Sequence, residues 1–140
     1  MNPPELSHFT YDPYLGWYEG KAITKDGELA LYLSAETENE ASSILVLANS
    51  FLQSLERTIA SAKSYSADRL LAIRNDSWRE ENSPEISKDE FISRLQSLSV
   101  TLYPNQNVEI MFRDGGLFAG HVVLVSANRQ GHFSNASIEG

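Results

Sequence analysis

The chain has 140 residues, 41% of them hydrophobic, and sets 11 Lys and Arg against 19 Asp and Glu for a formal charge of −8. That length suits a single domain over residues 1–140, because two domains would each approach the size at which surface burial becomes marginal. The lack of cysteine excludes disulfides, thiolate nucleophiles and Cys-type zinc sites, and the negative surface repels a phosphate backbone, which argues against nucleic acid as a partner.

The start, Met1-Asn2-Pro3-Pro4-Glu5, has neither the basic opening nor the apolar run of a secretion signal. The longest apolar stretches are too short to cross a bilayer. A cytoplasmic setting with no membrane partner is therefore expected, in keeping with a reducing compartment. From Phe9 to Ala35 the pattern is extended: Trp17 to Thr24 forms one run, and Leu29, Leu31 and Leu33 alternate with Ala30, Tyr32 and Ser34. Lys25-Asp26-Gly27-Glu28 lies between them, and Asp-Gly supplies the positive φ angles of a primed hairpin turn.

The period then changes. Ile44, Leu47, Ala48, Phe51, Leu52, Leu55 and Ile59 recur at three- and four-residue steps and predict one helical stripe, opened by a Thr37 to Glu40 capping box. Ala67, Leu70, Leu71 and Arg74 continue the helical spacing after an expected break near Ser64-Tyr65-Ser66, and Asn75 to Pro84 reads as a polar connection. A shorter helix follows, signed by a Ser87 and Glu90 capping box and an Ile86 and Phe91 staple, with Phe91, Leu95 and Leu98 on its buried side.

Strand patterning returns at Leu98, Val100 and Leu102 and at Val108, Ile110 and Phe112, with the turn residues Pro104-Asn105-Gln106-Asn107 between them. His121 to Ala127 is almost continuously apolar, as in a strand covered on both faces or central in its sheet, and a last short strand is expected around Ala136 to Ile138. Strands, then helices, then strands predict an α+β fold. Its sheet is mostly antiparallel, built from N-terminal and C-terminal strand blocks, with two to three helices between them packed on one face.

Chemistry is sparse. Arg113 to His121 holds three glycines between two strands, but it lacks the Lys-Ser/Thr ending of a phosphate loop and no helix follows it. The histidines His8, His121 and His132 form no His-x-x-x-His or Glu-x-x-His pair, so neither a metal nor a cofactor is expected. No Gly-x-Ser-x-Gly elbow occurs. The candidate ligand- or partner-binding residues are Asp114 and His121, which flank the glycines, and the large amphipathic rings Trp78 and Trp17. No catalytic residue is assigned.

Leu15-Gly16-Trp17-Tyr18-Glu19-Gly20, Trp78, and Asp114, Phe118, Gly120 and His121 together give the chain a resemblance to a bacterial family catalogued as domain of unknown function 2262. The resemblance spans most of the chain and implies a fold class and a bacterial, cytoplasmic setting, without an activity. The doubled Gly115-Gly116 departs from that pattern. Two functions are carried forward. One is a non-enzymatic binding or accessory, immunity-like protein that occludes a protein partner's surface; the other is a small enzyme or ligand-binding module with a pocket near Asp114 and His121. The apolar strand Val122 to Val125 leaves the oligomeric state open.

Overall fold

In the computed structural model, residues 6–140 are described, and the start Met1-Asn2-Pro3-Pro4-Glu5, on which the expected absence of a secretion signal rests, lies outside them. After a 3-10 turn at Leu6–His8 come strands β1 (Thr10–Asp12), β2 (Trp17–Thr24) and β3 (Gly27–Leu33). Four helices follow: α1 (Glu38–Leu47), α2 (Asn49–Gln53), α3 (Leu55–Ile73) and, past a π-helical turn at Arg74–Trp78, α4 (Lys88–Arg94). The chain closes with β4 (Gln96–Leu102), β5 (Asn107–Arg113), β6 (Val122–Asn128) and β7 (Phe133–Glu139).

All seven strands join one sheet in sequence order, β1 to β7. Five of the six ladders are antiparallel and need only local turns; β3 and β4 run parallel, Leu31 opposite Val100 and Leu33 opposite Leu102. A parallel pair demands a long crossover, and all four helices lie inside this one. The fold is thus α+β, as expected, with a mixed sheet and four helices where two to three were predicted. Alternation along a strand says nothing about which strand lies beside it, so the parallel pair was not legible.

The crossover covers one face of the sheet. Along β2, Tyr18, Gly20, Ala22 and Thr24 are buried while Glu19, Lys21 and Ile23 are exposed, and the register places Leu33, Leu31 and Leu29 beside the buried set. The same row continues through Val100, Ile110 and Val125, all fully buried. At about 25 cal/mol per Å² of apolar surface removed from water, each large side chain in this layer contributes about 1.5–3 kcal/mol. Gly20 admits the ring of Phe9, which would lie 2.6 Å from any added Cβ.

The hairpin at Lys25-Asp26-Gly27 forms, but its turn centres on Lys25 and Asp26, and Gly27 alone takes positive φ, at 110°. The Asp26 carboxylate does further work here: it accepts from Lys63 Nζ at 2.7 Å and from Ser97 N and Oγ at 3.1 and 2.9 Å. Burial pushes this carboxyl upward in pKa, yet the Lys63 and Ser97 hydrogen bonds and the Lys63 charge outweigh it, and the net shift is downward. One side chain thereby ties the hairpin to α3 and β4.

Both helix starts fall where the capping signals place them. Thr37 Oγ1 accepts from Glu40 N at 3.2 Å, and Ser87 Oγ accepts from Glu90 N at 3.1 Å. The return bond of the first box runs from the Thr37 hydroxyl to Glu40 Oε1 instead of from the backbone. The expected break at Ser64-Tyr65-Ser66 is absent, since α3 runs unbroken through it; the breaks come at Ala48 and Ser54. Those interruptions rotate the stripe, which leaves Leu47 63% exposed although it was placed in the core. Leu98 belongs to β4 and not to α4, at the bulge between Ser97 and Ser99. Strand β6 is buried on the helix side and half-buried on the other, and the last strand runs longer than Ala136 to Ile138.

Candidate functional site

The candidate residues fall into two groups. Asp114, Trp78 and His121 gather at one end of the helix layer, and Trp17 lies on the opposite, helix-free face of the sheet.

Asp114 follows β5 directly and is buried. Its Oδ2 accepts from Phe118 N at 2.8 Å and Gly120 N at 2.9 Å, and its Oδ1 accepts from Gly116 N at 3.2 Å. A carboxylate that accepts several backbone N–H bonds holds a loop by charge-assisted contacts. The glycines enter for the same reason: Gly115, Gly116 and Gly120 take φ of 57°, 86° and 88°, which turns successive N–H groups toward one centre. The loop therefore organises itself around Asp114.

His121 closes that loop. Its Nδ1 lies 2.7 Å from Phe118 O, and because a carbonyl only accepts, Nδ1 carries the proton. Its ring meets Trp78 edge-on at 5.2 Å, and Trp78 in turn meets Phe118 edge-on at 5.6 Å. Phe118 is fully buried and reaches Phe91 of α4. Trp78 is delivered by the π-helical turn, whose Asn75 clasps Ile86 through both its amide oxygen and its amide nitrogen. The structure thus brings Trp78 to His121, which sequence spacing could not show. Asp114 and His121 are joined only through the peptide groups of Phe118, with no hydrogen bond between their side chains. Among the described residues no three metal-ligating side chains cluster.

On the helix-free face, Trp17 stacks on Tyr32 with ring centroids 4.2 Å apart and planes 19° from parallel. Cross-strand register sets Tyr32 beside Glu19 and Thr101, and Ala30 beside Lys21 and Ser99. Met111 and Leu124 extend the half-buried centre across β5 and β6. Glu19, Glu28, Glu109 and Glu139 surround it against Lys21 and Arg113, and Lys21 is already paired to Glu28 at 3.2 Å. Burial, then the Glu19 charge, pushes the Tyr32 phenol up in pKa. Trp17 Nε1 is shielded from solvent and has no acceptor among the described residues.

A cavity of about 310 Å³ opens at one end of this face, lined in part by Tyr103, Asn105, Glu109 and Ser126. Tyr103 Oη donates to Glu109 at 2.5 Å, and burial, that bond and the Glu109 charge push the phenol up to about 12. An ultraviolet titration is expected to show one of the six tyrosines ionising near pH 12, and Tyr103→Phe should delete that step. The folded phenol holds its proton beyond the unfolded value, so its stabilising contribution is whole below about pH 10 and disappears as pH rises toward 12. Six tyrosines titrating together below pH 11 would contradict the assignment.

Sequence reasoning missed Arg129, which is 8% exposed in the turn between β6 and β7. A lone arginine in Asn128-Arg129-Gln130-Gly131 carries no signal that separates it from a solvated turn residue.

The chain matches, over residues 4–138, the family described as uncharacterized protein conserved in bacteria (DUF2262). No curated protein and no solved structure shows a significant match.

Proposed function

The chain belongs to DUF2262, a family of uncharacterised proteins conserved in bacteria, and from its own geometry we propose that it is a non-enzymatic, immunity-like accessory protein of the cytoplasm that docks a basic protein partner on the helix-free face of its sheet. One observation carries this reading: the Trp17–Tyr32 stack sits on a face with no helix over it, inside a rim where four acids outnumber two bases. Aromatic anchors inside a polar rim are the usual anatomy of a protein interface. The overall charge of −8 steers a basic partner toward the chain. A second copy of the same chain is disfavoured, because it would bring two acidic rims together.

The reading of an enzyme or ligand pocket near Asp114 and His121 has less to support it. Both oxygens of Asp114 are engaged by backbone, and His121 is bonded to Phe118 and packed on Trp78. Neither residue lines the cavities of about 310, 450 and 250 Å³ that open elsewhere on the molecule.

The test is affinity capture from a native lysate with the wild type and the Trp17→Ser/Tyr32→Ser double variant in parallel. A basic protein is expected to bind the wild type at physiological salt, with affinity lowered at least about 100-fold in the variant, the loss typical of two interface anchors. Raising the salt should weaken binding further. Capture unaffected by the double variant, or retention of a metabolite in place of a protein, would overturn the proposal.

A further inference from the structure

Arg129 is more than nine-tenths buried and has no carboxylate partner among the described residues. Its Nη2 donates to Tyr103 O at 2.6 Å and, weakly, to Pro104 O at 3.5 Å. Its Nε is shielded from solvent and has no hydrogen-bond partner among the described residues. A cation buried this far has given up most of its hydration without gaining a counter-charge among the described residues, which is costly unless something else supplies the charge.

That residue lines a cavity of about 450 Å³ between the β6–β7 turn and the start of α3. The opposite wall carries Ser50, Ser54 and Thr58 of the α2–α3 segment. None of these three hydroxyls has a hydrogen-bond partner among the described residues, and Ser54 precedes the 19-residue α3 without capping it. No acid lines this cavity. On its other flank Arg129 borders a second space of about 250 Å³ that contains Glu40, whose charge repels an anion, so the larger cavity is the one suited to it.

We infer that this cavity is a binding site for the phosphoryl group of a small ligand, held between the Arg129 guanidinium and the Ser50, Ser54 and Thr58 hydroxyls. Donors on two walls suit a tetrahedral oxyanion, which accepts in several directions, better than a planar carboxylate, whose acceptor directions lie in one plane. The site is separate from the helix-free face and does not depend on it.

The experiment is an NMR titration of the ¹⁵N-labelled chain with inorganic phosphate, and then with phenyl phosphate, at fixed ionic strength. Saturable shifts are expected at the amides of Ser54, Thr58, Gln130 and Gly131. Arg129→Gln should weaken binding at least about tenfold, the scale of one charge-assisted contact. Thr58→Val, which leaves the buried cation in place, should weaken it about threefold or more and carries the test if Arg129→Gln does not fold. Tighter binding of phenyl phosphate would assign an organic phosphate as the ligand, and tighter binding of inorganic phosphate would assign the free ion. Absence of saturable shifts in the wild type, equal shifts with chloride, or affinity unchanged in the variants would overturn the inference.

Discussion

Replacing Asp114 with Ala is expected to cost the fold about 3–5 kcal/mol, because three backbone N–H groups lose a charged acceptor together and that of Phe118 is left buried and unpaired. For a chain of this length the loss corresponds to a fall in melting temperature of about 10–15 °C. Asp114→Asn should cost about half as much. Its amide oxygen can take the Oδ2 position and serve Phe118 and Gly120, while its NH₂ faces the Gly116 N–H. Calorimetry of the three chains decides the matter. If Asp114→Ala melts within about 2 °C of the wild type, the carboxylate is not what organises the loop, and a role in ligand binding regains its standing.

The second large effect separates two adjacent glycines. A Cβ at Gly115 would sit 2.2 Å from the carbonyl oxygen of Arg94, at a φ of 57°. Left-handed backbone costs a non-glycine residue about 1 kcal/mol or more, and the overlap with the end of α4 adds about 1–3 kcal/mol. Gly115→Ala is thus expected to lose about 3 kcal/mol. At Gly116 the φ of 86° is also left-handed but no atom lies within 4 Å of the added carbon, so Gly116→Ala should lose only about 1 kcal/mol. Urea unfolding with unchanged m-values would measure both. Equal losses would show that the Asp114 loop is not pressed against α4.

These predictions rest on features that differ in how visible they were beforehand. Alternation in β2 and β3 and hydroxyl-to-acid spacing at Thr37 and Ser87 are local signals, and they placed strands and helix starts correctly. The breaks at Ala48 and Ser54 were invisible because neither residue is a breaker, and Leu47 was misplaced with them. At the Asp114 loop, the signal was present but ambiguous. An acid followed by glycines suits both a ligand site and a carboxylate that gathers N–H groups, and only the positions of those N–H groups distinguish them. Trp17 beside Tyr32 and Trp78 beside His121 depend on pairing across the sheet and on a π-helical turn, both tertiary facts. Arg129 gave no sign at all, since burial of a charge is a property of its surroundings.

The single parallel ladder also governs the order in which the molecule can assemble. Every other pairing closes a short loop, so the β2–β3 hairpin and the β4 to β7 meander can each form early and independently. The seam between β3 and β4 must wait until the whole stretch from Leu33 to Gln96 has collapsed, and closing so long a loop is entropically slow. Substitutions along that seam, at Leu31 or Val100, and in the hairpins formed before it should therefore slow refolding more than they speed unfolding, whereas those in parts that pack only afterwards should do the reverse.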